Sequence, residues 1–486
     1  MSVFAMVETT HEDFAKLRSI LASAPSKEGF VALLALFASW THSDTQDLAL
    51  TYAQEHLATW PDTFRIAEPK DIWPRFPHAP PPAMINLLRG LDITEPITRP
   101  LALKAITLPP FARELRILRI KHMHTKIGME LLTQARHLSQ LQQLSIHKSQ
   151  LTRTDAAILV SSPYLHQLRH LALPHNRLGE DGITFIAHAP ILQGLQSLDL
   201  SHNAPTDKSA CAIAQSSYMH ALTTLRLNEP RSNWQTIGDK GAMAIASSPY
   251  LSHLRELGFA GHHISPRALE ALASSSSLSG LQCLDLSYHT RYPHPFAGIL
   301  TAPTSWTQLT QLKLNGLYGS DVLLERLSNG TPLKQLQRLE LDANHITPEG
   351  IASFADSRKI RQLQHLSLAH NHIHDEGASY LASSPNTQHL RTLDLHQNEI
   401  GDFGAKRLAE SSYLSQLKTL VLSGNALGEE GFKAIAFSET LSAEVRREYI
   451  GFVARDDLLK EADRKGLRNP RSMNKTTLLH ALLSSD

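Results

Sequence analysis

The sequence has few of the residues that stabilise small secreted domains or bind structural metals. Cysteine occurs only twice in 486 residues, at Cys211 and Cys283. Two cysteines provide neither a disulfide framework nor the paired spacing of a zinc site. This scarcity favours a protein that folds in a reducing, intracellular environment.

Long hydrophobic runs are also missing. The longest apolar stretch, Val31 to Trp40, is too short to cross a bilayer. The chain does not open with a basic segment followed by an apolar one, as a secretory leader would. We therefore expect a cytoplasmic protein without a membrane partner.

Neither sign of charge dominates the chain. It has 47 Lys and Arg residues against 46 Asp and Glu residues, so no global field attracts it to nucleic acid or acidic membranes. The phosphate-loop, nucleophile-elbow and metalloprotease motifs are absent as well. The sequence thus predicts no catalytic residue, no cofactor, no metal site and no small-molecule substrate.

The chain does contain one phrase, Leu-x-x-Leu-x-Leu, which recurs mostly every 27 residues. Residues two apart lie on the same face of a strand, so the last two leucines of each phrase point into one interior. One repeat cannot bury its apolar face alone, and stacked neighbours create the core. The phrases begin at Leu115, Leu141, Leu168, Leu195, Leu222, Leu254, Leu281, Leu309, Leu336, Leu363, Leu390 and Leu417.

A single repeat illustrates the chemistry. One repeat begins at Leu390. In it, Leu393 and Leu395 predict a strand, and Asn398 predicts a turn. The side-chain amide of Asn398 can bind the backbone groups that this turn leaves unpaired. Asp402 then favours the positive start of a helix. We interpret the recurring asparagines as structural; they are Asn176, Asn203, Asn344, Asn371, Asn398 and Asn425.

This pattern resembles the leucine-rich repeat family, in particular its ribonuclease-inhibitor type. The helix endings Ser-Ser-Pro-Tyr-Leu at residues 161–165 and 247–251 are similar to those of bacterial members. The resemblance covers roughly residues 111–442 and implies an α/β solenoid, a horseshoe of about twelve repeats. Members inhibit nucleases, activate the small GTPase Ran or sense ligands, so the fold does not name the function.

Residues 1–110 differ from the repeats. Caps at Thr10, Ser26 and Ser43 predict three helices, over residues 12–23, 27–40 and 44–59. Ten prolines between residues 69 and 110 end this helical part. We expect residues 1–110 to be a helical cap with a proline-rich connector that covers the first repeat; a recognition peptide is the alternative.

Residues 443–486 follow the last repeat. A helix over 443–455 would close the solenoid, and residues 456–483 then predict a helix, a loop and a second helix. With Met473, Lys475, Leu478 and Leu479, this segment resembles SAP-like modules and the N-terminal module of the transcription terminator Rho. A two-helix unit that pairs with protein, or only ends the chain, is the alternative. The resemblance implies nucleic-acid binding through Arg464, Lys465, Arg468, Arg471 and Lys475.

Strand residues between the leucines would point to the concave surface. They mix both signs of charge, which suits a specific protein partner better than a polyanion. The fifth repeat, of 32 residues, and the seventh, which lacks the asparagine, add aromatic and basic side chains near the middle of the array. The predicted partner-binding residues are Arg226, Trp234, Asp285, Tyr288, Arg291 and Lys313.

Histidine is plentiful, with 27 residues. His175 and His202 follow neighbouring strands, which lie about 5 Å apart, so they could approach a shared metal. No carboxylate or cysteine completes that pair by spacing. Clustered histidines should instead make partner binding weaken or change below about pH 6.5.

Taken together, these patterns predict a non-catalytic scaffold that holds a folded protein on a concave repeat surface. One alternative is a regulator of the Ran GTPase activator type. Another is a nucleic-acid-associated protein that acts through residues 456–486.

Overall fold

The computed structural model describes residues 3–40, 43–68, 83–94, 107, 114–123, 127–229, 236–289, 305–329, 335–467 and 469–484. The chain forms two compact units, Met1–Arg226 (unit 1) and Leu227–Asp486 (unit 2). Most of the predicted proline-rich connector lies outside the described residues. The predicted site residues Trp234, Arg291 and Arg468 lie outside them too.

Unit 1 begins with helices α1 (Val3–Ala22), α2 (Lys27–Ser39) and α3 (Ser43–Leu57). The predicted second helix is confirmed, because the Ser26 side chain accepts a hydrogen bond from the Gly29 N–H at 2.9 Å. The predicted caps at Thr10 and Ser43 are wrong: Thr10 lies inside α1, and Ser43 is the first residue of α3. No glycine or proline precedes Thr10, so nothing ends the helical pattern there.

Unit 1 continues with parallel strands that pair in chain order. The strands are β1 (Ile66–Ala67), β2 (Gly90–Ile93), β3 (Ile117–Lys121), β4 (Gln143–His147), β5 (His170–Ala172), β6 (Ser197–Asp199) and β7 (Thr224–Arg226). The helices between them are α4 (Gly128–Gln134), α5 (Arg153–Val160), α6 (Gly179–Ala187) and α7 (Asp207–Gln215).

The sheet begins before residue 111, where the sequence placed the start of the repeats. Leu88, Leu91 and Ile93 form the same phrase, and all three are buried. The Arg89 carbonyl accepts a hydrogen bond from the Ile117 N–H at 2.9 Å, which joins β2 to β3. Prolines lie on both sides of this motif and interrupt the regular spacing of the leucines. For this reason the sequence did not predict this additional repeat.

Unit 2 repeats the same alternation of strand and helix. Its strands are β8 (Glu256–Gly258), β9 (Cys283–Asp285), β10 (Gln311–Lys313), β11 (Arg338–Glu340), β12 (His365–Ser367), β13 (Thr392–Asp394) and β14 (Thr419–Val421). The helices within the repeats are α8 (Asp239–Ala246), α9 (Pro266–Ala273), α10 (Ser320–Asn329), α11 (Pro348–Ala355), α12 (His374–Ser383), α13 (Asp402–Ala409) and α14 (Glu429–Ala436).

The core of unit 2 follows from strand register. Each central leucine lies opposite the central leucine of the next strand, so the apolar side chains stack in rows. Full burial of a leucine contributes about 1.5–3 kcal/mol, and every repeat supplies several. The buried central leucines are Leu257, Leu284, Leu312, Leu339, Leu366, Leu393 and Leu420.

The structural role of the recurring asparagines is confirmed at Asn371, which is 3% exposed. Its Oδ1 accepts hydrogen bonds from the N–H groups of Asn344 and Ile346 at 2.9 and 3.0 Å. Its Nδ2 donates to the carbonyls of Leu341 and Leu368 at 3.1 and 2.8 Å. One side chain thus satisfies backbone groups of two successive turns that would otherwise be buried and unpaired.

Helix starts are capped from the preceding repeat. The Asp402 carboxylate accepts hydrogen bonds from Gly428 N–H at 2.7 Å and Gly431 N–H at 2.9 Å, at the start of α14. Asp375 binds Gly401 N–H at 2.7 Å in the same way. Asp402 lies in the first turn of its own helix, as expected. Stacking of the repeats also brings the start of the next helix, with its N–H groups, to this side chain.

The last repeat is followed by helices α15 (Ala443–Tyr449), α16 (Arg455–Arg464) and α17 (Lys475–Ser484). The predicted single helix over 443–455 is wrong, because a short 3-10 turn at Ile450–Phe452 contains Gly451, a poor helix former. The predicted helix, loop and helix over 456–483 is confirmed as α16 and α17. Gly466, with φ of 69°, ends α16 as expected.

The hydroxyl of Tyr449 binds backbone groups at the end of β14. It donates a hydrogen bond to the Leu420 carbonyl at 2.6 Å and accepts one from the Leu422 N–H at 3.0 Å. These are backbone groups that a further strand would otherwise bind. Burial raises the pKa of Tyr449 to about 12, so the hydroxyl keeps its proton at neutral pH. The Tyr449 hydroxyl thus occupies hydrogen-bonding positions that a further strand would take.

Candidate functional site

The strands of unit 2 present three rows of side chains on the side opposite the leucine core. Alternation along each strand sends residues before, between and after the core leucines to this surface, which we call the unit 2 sheet face. The first row is Glu256, Cys283, Gln311, Arg338, His365, Thr392 and Thr419. The second is Gly258, Asp285, Lys313, Glu340, Ser367, Asp394 and Val421. The third is Ala260, Ser287, Asn315, Asp342, Ala369, His396 and Ser423.

Acidic residues outnumber basic ones on this face. Five acidic and two basic side chains give it a net charge of −3 when the histidines are neutral; the acidic ones are Glu256, Asp285, Glu340, Asp342 and Asp394. Both basic side chains contact the same carboxylate: Lys313 Nζ lies 3.0 Å from Glu340 Oε2, and Arg338 Nε lies 3.2 Å from Glu340 Oε1. Both basic side chains of the face are thus paired with one carboxylate, that of Glu340.

The aspartates are held by short local hydrogen bonds. Asp285 Oδ1 accepts a hydrogen bond from the Ser287 N–H at 3.1 Å. Asp342 Oδ1 accepts one from the Ser367 hydroxyl at 2.5 Å and one from the Ala369 N–H at 2.9 Å. Burial nevertheless raises the pKa of both carboxyls, which means that their charged forms are poorly solvated. A cation from outside the protein would stabilise them.

Tyr288 borders these acids. Its φ of 63° lies in the left-handed region, and its side chain is exposed to 42%. The ring packs over Gly316, where a Cβ atom would come within 2.5 Å of Tyr288 Cδ1. Burial of the hydroxyl end, with the nearby Asp342 and Asp285 charges, raises the pKa of the Tyr288 phenol. A neutral phenol beside carboxylates can donate a hydrogen bond to a ligand.

Three predicted partner-binding residues, Asp285, Tyr288 and Lys313, therefore lie on or beside one face of unit 2. Arg226 belongs to unit 1, where its guanidinium lies 3.9 Å from Asp199. In unit 1, Arg119 pairs with Asp92 in the same way, at 3.8 Å. Some of the mixed charges predicted along the strand row are therefore paired between neighbouring strands of unit 1, whereas the unit 2 sheet face has an excess of acidic residues.

Sequence reasoning missed Asp342 and Asn315. Asn315 Nδ2 donates a hydrogen bond to Glu340 at 3.3 Å, and its Oδ1 accepts one from the Asp342 N–H at 2.8 Å. Both residues lie two positions beyond the strand row that supplied the predicted residues Asp285 and Lys313. The same period-two alternation, extended by one step, would have included them.

The seventh repeat fills its missing asparagine position with a buried histidine. His289 is 2% exposed and donates through Nδ1 to the His262 carbonyl at 2.5 Å. His262 occupies the equivalent position one repeat earlier, and its Nε2 donates to the Leu227 carbonyl at 2.9 Å. Burial lowers the pKa of His262 to about 3 and that of His289 to about 4. Both imidazoles are therefore neutral and structural.

The predicted His175 and His202 pair is close, with ring centroids 3.9 Å apart. The rings are stacked, however, with only 9° between their planes. Lone pairs of imidazole nitrogens lie in the ring plane, so those of two stacked rings do not converge on one ion. Within the described residues, no group of three or more His, Cys, Asp or Glu side chains has the geometry to hold a metal ion.

Two of the basic residues predicted for nucleic-acid binding, Arg464 and Lys475, contact partners within the protein. Arg464 contacts Glu461 at 2.8 Å and Glu439 at 3.2 Å. Lys475 Nζ donates a hydrogen bond to the Gly451 carbonyl at 3.1 Å. Arg471 is exposed in the turn between α16 and α17. These contacts tie the C-terminal helices to the end of the repeat array.

Among the described residues, no helix is both long enough and apolar enough to span a membrane.

One comparison with known proteins identifies the repeat. Residues 360–382, 386–409 and 414–436 match the leucine-rich repeat family model, so the chain contains leucine-rich repeats. The crystal structure of an internalin from Listeria monocytogenes str. 4b F2365 is 20% identical in sequence. That comparison covers 74% of this chain and 87% of the internalin chain, with a TM-score of 0.41. A search of curated proteins gives no match.

Proposed function

We propose that this protein is a non-catalytic scaffold that binds a folded protein partner on its repeat sheet. We further propose that the unit 2 sheet face receives a surface of that partner rich in lysine or arginine. The observation that carries the proposal is the pair of poorly solvated carboxyls, Asp285 and Asp342, within an acidic face. A cationic side chain would restore the stabilisation that burial removes from their charged forms.

The exposed ring of Tyr288 supports the same surface. Interfaces are enriched in tyrosine because the side chain combines a large apolar area with one polar group. The Lys313 and Glu340 pair would fix how the partner surface aligns with the sheet face. A partner lysine or arginine placed beside Lys313 would be repelled, and so would a partner carboxylate placed beside Glu340. Rigid neighbouring strands hold all these groups, so little conformational entropy is lost on binding.

Two finer assignments belong to this proposal. The repeats are of the ribonuclease-inhibitor type, and this is supported by helices α8 to α14 of unit 2, each of which has eight to ten residues. The C-terminal helices are an SAP-like module that serves mainly to close the array, which is supported by the contacts of Arg464 and Lys475. We place the protein in the cytoplasm on its cysteine content.

The experiment is chemical cross-linking of the intact protein in lysate of its source cell, with and without nuclease, followed by mass spectrometry. The proposal expects cross-links from residues of the unit 2 sheet face to lysine-rich peptides of one protein, unchanged by nuclease. Cross-links confined to α16 and α17 and lost with nuclease would overturn it in favour of nucleic-acid association. If the cross-linked partner is a GTPase, the alternative of a GTPase regulator applies. A faster rate of GTP hydrolysis on addition of this protein would then support that alternative.

A further inference from the structure

A second group of side chains lies outside the sheet face, on the turns that follow the strands of unit 2. His345, His372 and Glu399 occupy the same position in three successive repeats. Their turns are fixed by the buried asparagines, and the His372 N–H donates to the Ile346 carbonyl at 2.8 Å. The side chains themselves are exposed, with that of His372 at 48% and that of Glu399 at 61%. The backbone thus holds a row of accessible imidazole and carboxylate groups.

The two imidazoles of this row face each other through nitrogen. His345 Nδ1 lies 3.4 Å from His372 Nε2, with 21° between the ring planes. Two nitrogens that bind one zinc ion at about 2.0–2.1 Å in tetrahedral geometry are separated by about 3.3 Å. The observed spacing matches that value. A small rotation of each exposed ring would direct both lone pairs at a shared ion, and this torsion is soft in histidine.

Glu399 orients the second imidazole. Its Oε1 lies 3.1 Å from His372 Nδ1 and accepts a hydrogen bond from it. This contact places the proton on Nδ1 and leaves Nε2 with the lone pair that faces His345. Carboxylates bind metal-ligating histidines in the same way, which fixes the tautomer and makes the ring a stronger ligand. Glu399 Oε2 also lies 3.7 Å from His374 Nδ1.

We propose that His345 Nδ1 and His372 Nε2 bind one divalent late transition-metal ion of the zinc, nickel and copper class. Imidazole is a preferred ligand for these ions. His345 would carry its proton on Nε2 in this state, so binding needs only a change of tautomer and releases no proton from neutral rings. Water completes the coordination, because two protein ligands are fewer than a structural zinc site uses. The site is therefore open and exchangeable.

Titration calorimetry of the full chain with ZnCl2 at pH 7.5, repeated with NiCl2, tests the proposal. The parent protein should bind one ion that is lost in His345→Gln and in His372→Gln. Glu399→Gln should weaken the same binding by about 10-fold or more, as loss of such carboxylates does elsewhere. His370→Gln, on the same turn as His372, is the matched control and should leave the binding unchanged.

Thermal unfolding of each variant without metal shows whether it folds; since the two histidines are exposed, we expect no change. Copper electron paramagnetic resonance gives a second readout, with coupling to two imidazole nitrogens in the parent and loss of that two-nitrogen signal in His372→Gln. Equal zinc and nickel affinity in the parent and His372→Gln would overturn the proposal. So would a loss of binding in the His370→Gln control that equals the loss in His372→Gln.

Discussion

Asn371 shows how much a single polar side chain contributes to this fold. Its amide binds five backbone groups, in a place that water does not reach. If the amide were removed, the Asn344 and Ile346 N–H groups would lose this partner, whereas the Leu368 carbonyl would keep the hydrogen bond from Asn398 Nδ2. A buried unpaired backbone group costs about 1–3 kcal/mol.

Asn371→Ala should therefore lower the free energy of unfolding by about 3 kcal/mol or more. Chemical denaturation followed by circular dichroism measures this change. Gln397→Ala is the control, because Gln397 is exposed in the equivalent turn of the next repeat. An equal and small effect in both variants would show that the amide is not a structural element.

The buried histidines predict a loss of stability in acid. The pKa values of His262 and His289 are about 3 and 4 in the folded protein, whereas an unfolded histidine titrates near 6.5. Below that pH the unfolded chain takes up protons that the folded chain cannot, so stability falls as pH falls. At pH 5 each imidazole would cost roughly 2 kcal/mol, and at pH 7.5 almost nothing.

Denaturant unfolding at pH 7.5 and pH 5 measures that loss. His262→Asn, which restores the residue of the other repeats, should remove about half of the pH-dependent loss. His389→Asn, at an exposed position, should leave the loss unchanged. An identical pH dependence in all three proteins would refute the buried-histidine explanation.

At the scale of elements, the strands and helices could be predicted from the sequence because each repeat contains the leucine motif of the strand and the start of the following helix. Leucines two apart fix the strand, and the following asparagine fixes the turn. Contacts between repeats could not be predicted in the same way. The cap that Asp375 provides to Gly401 joins residues of different repeats, and only stacking reveals it. The first strands were missed because prolines interrupt their spacing.

Tyr449 gives the element-scale prediction. Tyr449→Phe removes the hydroxyl that binds Leu420 and Leu422, and leaves two backbone groups of the last strand without that partner. We expect a loss of about 1–3 kcal/mol in unfolding free energy. Amide hydrogen exchange of peptides covering residues 417–424 should become faster in this variant.

Tyr380→Phe is the matched control, since the Tyr380 side chain is exposed on α12. Exchange over residues 417–424 should be the same in this control and in the parent. If Tyr449→Phe also exchanged at the parent rate, the hydroxyl would not be what closes the array.

At the scale of the whole molecule, the two units differ in the partners of the aspartates on their strands. In unit 1, Arg119 and Arg226 each contact an aspartate of the preceding strand. In unit 2, Asp285 and Asp342 accept local hydrogen bonds instead. The sequence predicted Asp285, Tyr288 and Lys313 as partner-binding residues; all three lie on or beside the unit 2 sheet face, and their binding role stays a prediction. It could not reveal the burial of Asp285 and Asp342, because neighbouring strands cause it.

That difference predicts a salt-sensitive interaction. Binding of a lysine-rich or arginine-rich partner surface to the unit 2 sheet face should weaken as ionic strength rises. Affinity measured by biolayer interferometry at 50 and 500 mM NaCl checks this with the cross-linked partner. Equal affinity at both salt concentrations would point to an apolar interface instead.

The most direct measurement is the affinity of that partner for Asp342→Asn/Asp394→Asn, compared with Asp356→Asn/Glu376→Gln. Both double variants remove two negative charges, the first from the unit 2 sheet face and the second from the exposed helical side. The proposal predicts at least about a tenfold loss of affinity for the first and none for the second, since truncating a buried charge contact costs about 2 kcal/mol or more. Equal affinities for the two variants would contradict the sheet face as the binding surface.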